Sequence, residues 1–365
     1  MNIIIFILIL GILVFVHELG HFLFAKLFKI RVDEFGFGYP PKMFQFGTYK
    51  GTKLTMNWIP FGGFVKIFGE NDDGTELSDE EKNVSLIHKP RWQQLLVMFG
   101  GILFNIVFAW LLFSGLYMSG VTASVNSAPE GYNFNETRLL VSGLLSGAPA
   151  ELAGLQAGDE IKEYLNETET VTVVDEDITD VAAFVHASGT TEKDVTFVVL
   201  RDSEFEIITI TPEIGIVGEN YGVGIALDRV GELKLPVHKA LWFGVKNTIA
   251  FTGAIFDGFW QLISGKISAD NVSGPVGIVK QVGEASSVGL SYLIGFTALL
   301  SLNLAVLNFI PFPALDGGRM LVIVIESIIK KRLHPKVVNW VNIVGFFVLI
   351  LLMVVVTVND IVKLF

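Results

Sequence analysis

Three ionisable residues, His17, Glu18 and His21, lie in an apolar stretch over residues 2–28 whose one other charge, Lys26, is near its end, and their spacing is H-E-x-x-H. On a helix, residues four apart share a face, so both imidazoles can ligate one metal ion while Glu18 beside them takes a proton from water at that metal. This is the pattern of a zinc hydrolase. Motifs of five residues also arise by chance in soluble helices whose His and Glu face water. A membrane setting removes that alternative, because an ionisable group near the centre of a span costs roughly 2.5–3.5 kcal/mol on insertion scales. Three together need a partner, and a bound metal is one. The other bland reading, a signal peptide over residues 1–15, lacks a basic start and a small-residue cleavage site.

The setting is a membrane because 51% of the 365 residues are hydrophobic, only 17% are charged, and the apolar residues are clumped. About 20 apolar residues make a span. Residues 3–28, 95–118 and 338–358 qualify, as do residues 290–310, which carry Asn303 and Asn308. Residues 240–263 are interrupted by Lys246 and Asp257 and contain Trp242, Phe256 and Trp260. They read as amphipathic helix on or dipping into the bilayer surface, a fifth span being the alternative. Cysteine is absent, which excludes disulfides and thiolate ligands and leaves His and carboxylates to hold a metal. The net charge of −11 is concentrated, with 21 acidic against 6 basic residues in 121–235. That balance excludes nucleic acid as a partner.

Basic residues gather after the first apolar segment, from Arg31 through Lys42, Lys50, Lys53 and Lys66 to Arg91, and again at Arg319, Lys330, Lys331, Arg332 and Lys336. The positive-inside bias makes both connections cytoplasmic. With four spans, both termini and the acidic central region then lie outside, and His17 and His21 sit nearer the cytoplasmic end of their span. Residues 32–70 are rich in Gly, Pro and Phe; 42–49 and 53–59 read as two strands of a hairpin, with 64–68 able to pair further. So apolar a hairpin fits against the membrane part of the protein, as a cap on the helices or as an open edge for an extended substrate. The acidic residues 71–83 read as a mobile loop.

Composition changes abruptly in the central region. Residues 139–142, 159–164, 170–174, 194–200, 205–211 and 222–226 have strand composition, and 149–153 and 178–187 helix composition. The run Ser146-Gly-Ala-Pro-Ala-Glu-Leu-Ala-Gly-Leu-Gln-Ala-Gly-Asp159 resembles the loop, short helix and turn of a PDZ domain of the bacterial protease type. Such a domain binds extended peptides by strand addition, or here serves as a filter against bulky outer domains.

Two histidines are too few for a catalytic zinc, which takes three protein ligands and leaves a position open. No further His follows His21 at metzincin spacing. The outstanding donor is Asp316, in Asn308-Phe-Ile-Pro-Phe-Pro-Ala-Leu-Asp-Gly-Gly-Arg319, where Pro311 and Pro313 break the apolar segment and Gly317 and Gly318 permit a tight turn. The alternative makes Asp316 the N-cap of a helix over 319–329.

Taken in order, His17-Glu-Leu-Gly-His21, Gly36-Phe-Gly38, Asn57-Trp-Ile-Pro-Phe-Gly-Gly-Phe-Val65, the PDZ-like insert, Ser273-Gly-Pro-Val-Gly277 and 308–318 resemble the bacterial site-2 proteases, intramembrane zinc metalloproteases, over nearly the whole chain. The resemblance implies Zn2+ held by His17, His21 and Asp316, catalysis by Glu18, and substrate contacts from Asn303 and Asn308. It implies an α-helical multi-pass membrane protein of about four spans with a membrane-associated β-hairpin and an inserted α/β PDZ-like domain. The expected segments are a first span with the zinc motif (1–30), the hairpin region (31–70), a cytoplasmic loop (71–92), a second span (93–120), the extracytoplasmic PDZ-like domain (121–235), amphipathic membrane-associated helices (236–268), a third span with the L-D-G motif and a cytoplasmic connection (288–337), and a fourth span (338–365). The expected partners are single-span membrane protein substrates in the inner membrane, the lipid bilayer and a peptide ligand of the PDZ-like domain. Two other readings compete with this one. A non-catalytic PDZ-bearing adaptor needs a closed four-ligand structural metal site, for which Glu326 and His334 are the nearest further donors but read as helix surface and loop. A metal transporter needs acids or histidines along a path, whereas here they group at one depth.

Overall fold

The computed structural model, which describes residues 2–70, 77–129, 132, 134, 136–173, 178–191, 193–201, 203–217, 220–266 and 273–363, turns the apolar N-terminal stretch into one helix, α1 (Asn2–Leu27). At 1.5 Å per residue its 26 residues extend about 39 Å, enough to cross a bilayer core. Its buried stripe runs through Ile9, Leu13, His17, Gly20, His21 and Ala25, while Ile3, Ile4, Leu8 and Ile12 are exposed. The two histidines therefore lie on the protein-facing side.

Two long irregular strands follow, β1 (Val32–Tyr49) and β2 (Thr52–Ile67). Their registers fold the pair back on itself: Glu34 to Phe37 pair with Lys66 to Gly63 on one side and with Lys53 to Met56 on the other. The hairpin is thus more extensive than the segments 42–49 and 53–59, because 32–39 is also extended. A short helix, α2 (Asp79–Val84), corrects the expectation of a mobile loop over 71–83; residues 71–76 lie outside the described residues. Ser78 and Glu81 form a reciprocal capping box at its start, and the bonds from Ser78 hold the Glu81 carboxyl below its usual range. Backbone bonds from Arg31 to Val84 and from Leu86 to Phe68 tie this segment to the ends of the hairpin. Helix α3 (Arg91–Ser119) crosses α1 at close range, since a Cβ on Gly20 would lie 2.2 Å from the Gly100 carbonyl oxygen. Small residues at a crossing let backbones approach where lipid gives no hydrophobic drive.

The chain then builds a separate unit over 119–235. In order it contains β3 (Val121–Ser124), β4 (Thr137–Leu144), α4 (Pro149–Leu152), β5 (Glu160–Leu165), β6 (Thr170–Thr172), α5 (Ile178–Thr190), β7 (Val195–Arg201), β8 (Glu204–Ile210), β9 (Glu213–Val217), β10 (Asn220–Gly222) and β11 (Ile225–Leu233). The main sheet runs β3-β11-β4-β5-β7-β8, with β6 beside β5, and β9 and β10 pair apart from it. Tyr164, Phe197 and Val199 fill its core. Asp159, 1% exposed, receives two bonds from the Arg201 guanidinium at 2.6 and 2.7 Å, which fasten the turn after α4 to β7. Residues 222–226 read as a strand of their own in sequence, whereas the strand that forms there, β11, starts at Ile225 and reaches Leu233.

The remaining helices rejoin α1–α3 in the other unit, 1–118 with 236–365. Helix α6 (Val237–Ile263) is a single helix where several amphipathic ones were expected; residues 267–268 lie outside the described residues. It buries Ala240, Gly244 and Thr248, and the Trp110 indole on α3 donates to the Leu241 carbonyl at 2.9 Å. Helix α7 (Pro275–Val288) has no counterpart in the sequence reading. Helices α8 (Leu290–Phe309), α9 (Asp316–Ile329) and α10 (Pro335–Val362) complete the unit. Four of these helices are long and apolar enough to cross a membrane, namely α1, α3, α8 and α10; α6 is not among them.

The start of α7 shows how a helix end is satisfied away from water. Gly274 offers no side chain to cap it, and the buried Asp360 carboxylate at the far end of α10 accepts from the backbone N–H groups of Gly274 (3.1 Å) and Gly277 (2.8 Å) instead. Asp360→Ala leaves both donors without their acceptor, which costs about 1–3 kcal/mol. The expected outcome is a lower unfolding midpoint in detergent, followed by circular dichroism, with metal content unchanged.

Candidate metal centre

Helix α1 presents His17 and His21 one turn apart, with Nε2 atoms 3.1 Å from each other. Each imidazole is tied at its other nitrogen to α3: the His21 Nδ1–H donates to the Val97 carbonyl at 2.8 Å, and the His17 Nδ1 lies 3.3 Å from the amide nitrogen of Asn105. Fixing Nδ1 turns Nε2 inward. Gly101 makes room, because a Cβ there would stand 2.4 Å from His21 Nε2 and 2.7 Å from His17 Cε1.

The third donor arrives from the far end of the sequence. Asp316 Oδ2 lies 2.9 Å from His17 Nε2 and 3.3 Å from His21 Nε2. Asp316 is the first residue of α9 and Leu315 its N-cap, so the N-cap alternative for Asp316 does not hold. A built turn aims the carboxylate. Ala314 is left-handed at φ 71° and its N–H donates to Asn342 Oδ1 on α10 at 3.3 Å. Cβ atoms on Gly317 and Gly318 would meet the Ile310 and Phe312 carbonyl oxygens at 2.3 and 2.2 Å, which explains the paired glycines after the aspartate. Arg319 then forms an ion pair with Glu70, joining α9 to the segment after β2.

These three atoms suit a metal. Asp316 Oδ2 is buried, and among the described residues no hydrogen-bond partner other than the two imidazoles reaches it. Donors about 2.0–2.1 Å from a tetrahedral ion stand about 3.3 Å apart, close to the 2.9, 3.1 and 3.3 Å separations seen here. Among the described residues the metal-competent group contains these three residues and no fourth donor. Glu326 and His334 are not part of it: Glu326 is buried in an ion pair with Arg91 at 2.7 Å rather than on a helix surface, and His334 caps α10.

Glu18 lies beside the cluster, within electrostatic range of His21 and Asp316, with the Val65 backbone close by. The hairpin can come this near because Gly63 lacks a side chain: its Cβ would sit 2.9 Å from the Gly36 carbonyl oxygen and 3.8 Å from Glu18 Cγ. Asn303 and Asn308 lie on α8, neither joined by a hydrogen bond to the cluster; Asn303 donates to the Leu299 carbonyl one turn back at 3.2 Å. Sequence reasoning passed over Asn105 and Gly101. The available signal was an amide and a Gly pair inside an apolar span, a costly residue placed where lipid would surround it.

The profile of peptidase family M50 matches residues 5–352. The chain belongs to this family. Membership agrees with the site-2 protease resemblance of the motifs. A Clostridium perfringens protein that carries a zinc metalloprotease name is 35% identical over 96% of this chain and 95% of its own length. The zinc metalloprotease RasP of Geobacillus kaustophilus is 30% identical over 100% and 98% of the two chains. The regulator of sigma-W protease RasP of Bacillus subtilis is 29% identical over 100% and 99%.

The geometry makes Gly101 as constraining as a ligand. Gly101→Ala pushes both imidazoles off their positions, so the purified variant keeps its helical content yet binds divalent metal about tenfold or more weakly than the parent. Metal content by elemental analysis, beside circular dichroism, checks this.

Proposed function

We propose that this M50 peptidase is an intramembrane zinc metalloendopeptidase in which His17, His21 and Asp316 hold Zn2+ and Glu18 is the general base. The observation that carries the reading is the convergence of two Nε2 atoms and one carboxylate oxygen within 3.3 Å inside a candidate span, next to a glutamate. A three-donor set with a fourth position to spare favours catalysis over a closed structural site.

Zinc, when bound, supplies a Lewis acid that polarises the scissile carbonyl and makes water acidic enough to ionise near neutral pH. The chain's own residues do the rest. Glu18 takes a proton from the attacking water and delivers it to the leaving amide nitrogen. The substrate is a transmembrane helix whose peptide bonds are hidden in i to i−4 hydrogen bonds, so it must unwind before attack. The outer edge of residues 63–66 offers backbone partners beside Glu18, since Glu34 to Phe37 occupy the opposite edge and Val65 lies close to Glu18. The amides of Asn303 and Asn308 are assigned to orphan groups of the unwound segment.

The basic ends of the bundle support an inner-membrane orientation with the site near the cytoplasmic side. Arg332 donates to the Ile87 carbonyl at 2.9 Å and Arg91 pairs with Glu326, so the two basic connections meet at one end. By the positive-inside bias that end is cytoplasmic and residues 119–235 are outside. That unit is assigned as PDZ-like. A cavity of about 230 Å3 between α5 and the start of β11 is lined by Val181, Val185, His186, Tyr221, Ile225 and Leu227. Within β11, pairing to β3 begins only at Val230, which among the described residues leaves one edge of 225–229 without a strand partner, as an extended peptide needs. The Bacillus subtilis relative is named for a sigma regulator, and a membrane-anchored regulator is the proposed substrate class.

The deciding experiment is Glu18→Gln, assayed in liposomes with a single-span substrate. The expected outcome is full zinc stoichiometry with cleavage reduced by about 10^3-fold or more. Cleavage at the parental rate overturns the mechanism.

A further inference from the structure

The two imidazoles of the cluster are not held alike. A backbone carbonyl only accepts, so the bond from His21 Nδ1–H to Val97 fixes the tautomer that leaves the Nε2 lone pair free. His17 instead faces an amide nitrogen, Asn105 Nδ2, at 3.3 Å. That contact fixes no direction, because either end of the amide can face Nδ1 and the ring proton can sit on either nitrogen. Ligation through Nε2 needs the proton on Nδ1 and a group there that accepts it. Asn105 Oδ1 is such a group: it is fully buried, and among the described residues it has no other hydrogen-bond partner.

With the amide turned about Cβ–Cγ so that Oδ1 faces Nδ1, it accepts Nδ1–H and leaves the Nε2 lone pair directed at the cluster. The backbone stays in place, because the Asn105 carbonyl accepts from Ser301 Oγ on α8 at 2.8 Å.

We infer that Asn105 is a positioning residue for the metal site, whose side-chain oxygen accepts from His17 Nδ1–H and so directs Nε2 at a bound divalent metal. Among side chains, an amide carries both a donor and an acceptor on one rigid plane. Partners of this kind at a ligating histidine are worth about 10–100-fold in metal affinity. The inference rests on His17 being a zinc ligand.

The test uses the full-length protein in detergent, with zinc affinity measured by competition against a chelating dye and the ligand field read from the visible spectrum after Co2+ substitution. Asn105→Leu removes donor and acceptor, and is expected to weaken zinc binding by about 10–100-fold and to shift the Co2+ bands. Asn105→Asp keeps an acceptor in place and is expected to hold zinc within about threefold of the parent. Should Asn105→Leu fail to fold, Asn105→Ala deletes the amide without added bulk and carries the same expectation. Parental affinity and spectra in the Leu and Ala variants, or an Asp variant as weak as Leu, overturn the role of Asn105. His17→Ala separates the two levels: loss of tight zinc binding there keeps the ligand assignment standing whatever Asn105 does, whereas parental binding sinks both.

Discussion

The backbones of two helices touch where Gly20 meets Gly100, and the metal-ligand cluster exists because nothing larger stands in between. Between apolar helices in lipid there is no hydrophobic effect to draw them together, so close approach must come from small residues. The next residue, Gly101, leaves space for both imidazoles, and the same helix supplies the Val97 carbonyl and the Asn105 amide beside them. Helix α3 contributes no ligand. It nevertheless sets the direction of two.

Around this contact the protein tolerates irregular backbone only where its polar groups are answered, as a membrane interior demands. The break between α8 and α9 is held by local bonds, by Asn342 on α10 and by glycines that let carbonyl oxygens pack against α9. The orphan start of α7 is answered by Asp360. Partly buried charge is matched in the same way, Arg91 with Glu326 and Arg319 with Glu70. Leaving either partner alone would be far costlier than the pair. Each of these devices lies at a helix end or a helix break, close to where the bundle meets water or where the site is assembled.

This pattern explains what could be read in the sequence. Hydropathy alone marks α1, α3, α8 and α10, because length and apolarity are properties of a single segment. The ligand spacing of His17 and His21 is likewise local. Helix α7 escaped because its cap is provided by a residue at the other end of another helix, and its own Gly, Ser and charged residues carry no clear period. Helix α2 did announce itself through Ser78 and Glu81, but the acidic composition of its surroundings argued for a loop. The buried pairing of Glu326 and the contact of Asn105 with His17 depend on which helices become neighbours, which no spacing rule encodes. For the same reason β9 and β10, a short pair outside the main sheet, had no legible signature.

The candidate donors are split between α1 and α9, far apart in the sequence. At translation speeds of about 5–20 residues per second, the histidines wait on the order of tens of seconds before the aspartate emerges. During that interval a nascent polypeptide holds two of the three protein donors of the proposed centre. On that proposal the centre closes only once α9 has been made, so chemistry waits for the tertiary fold.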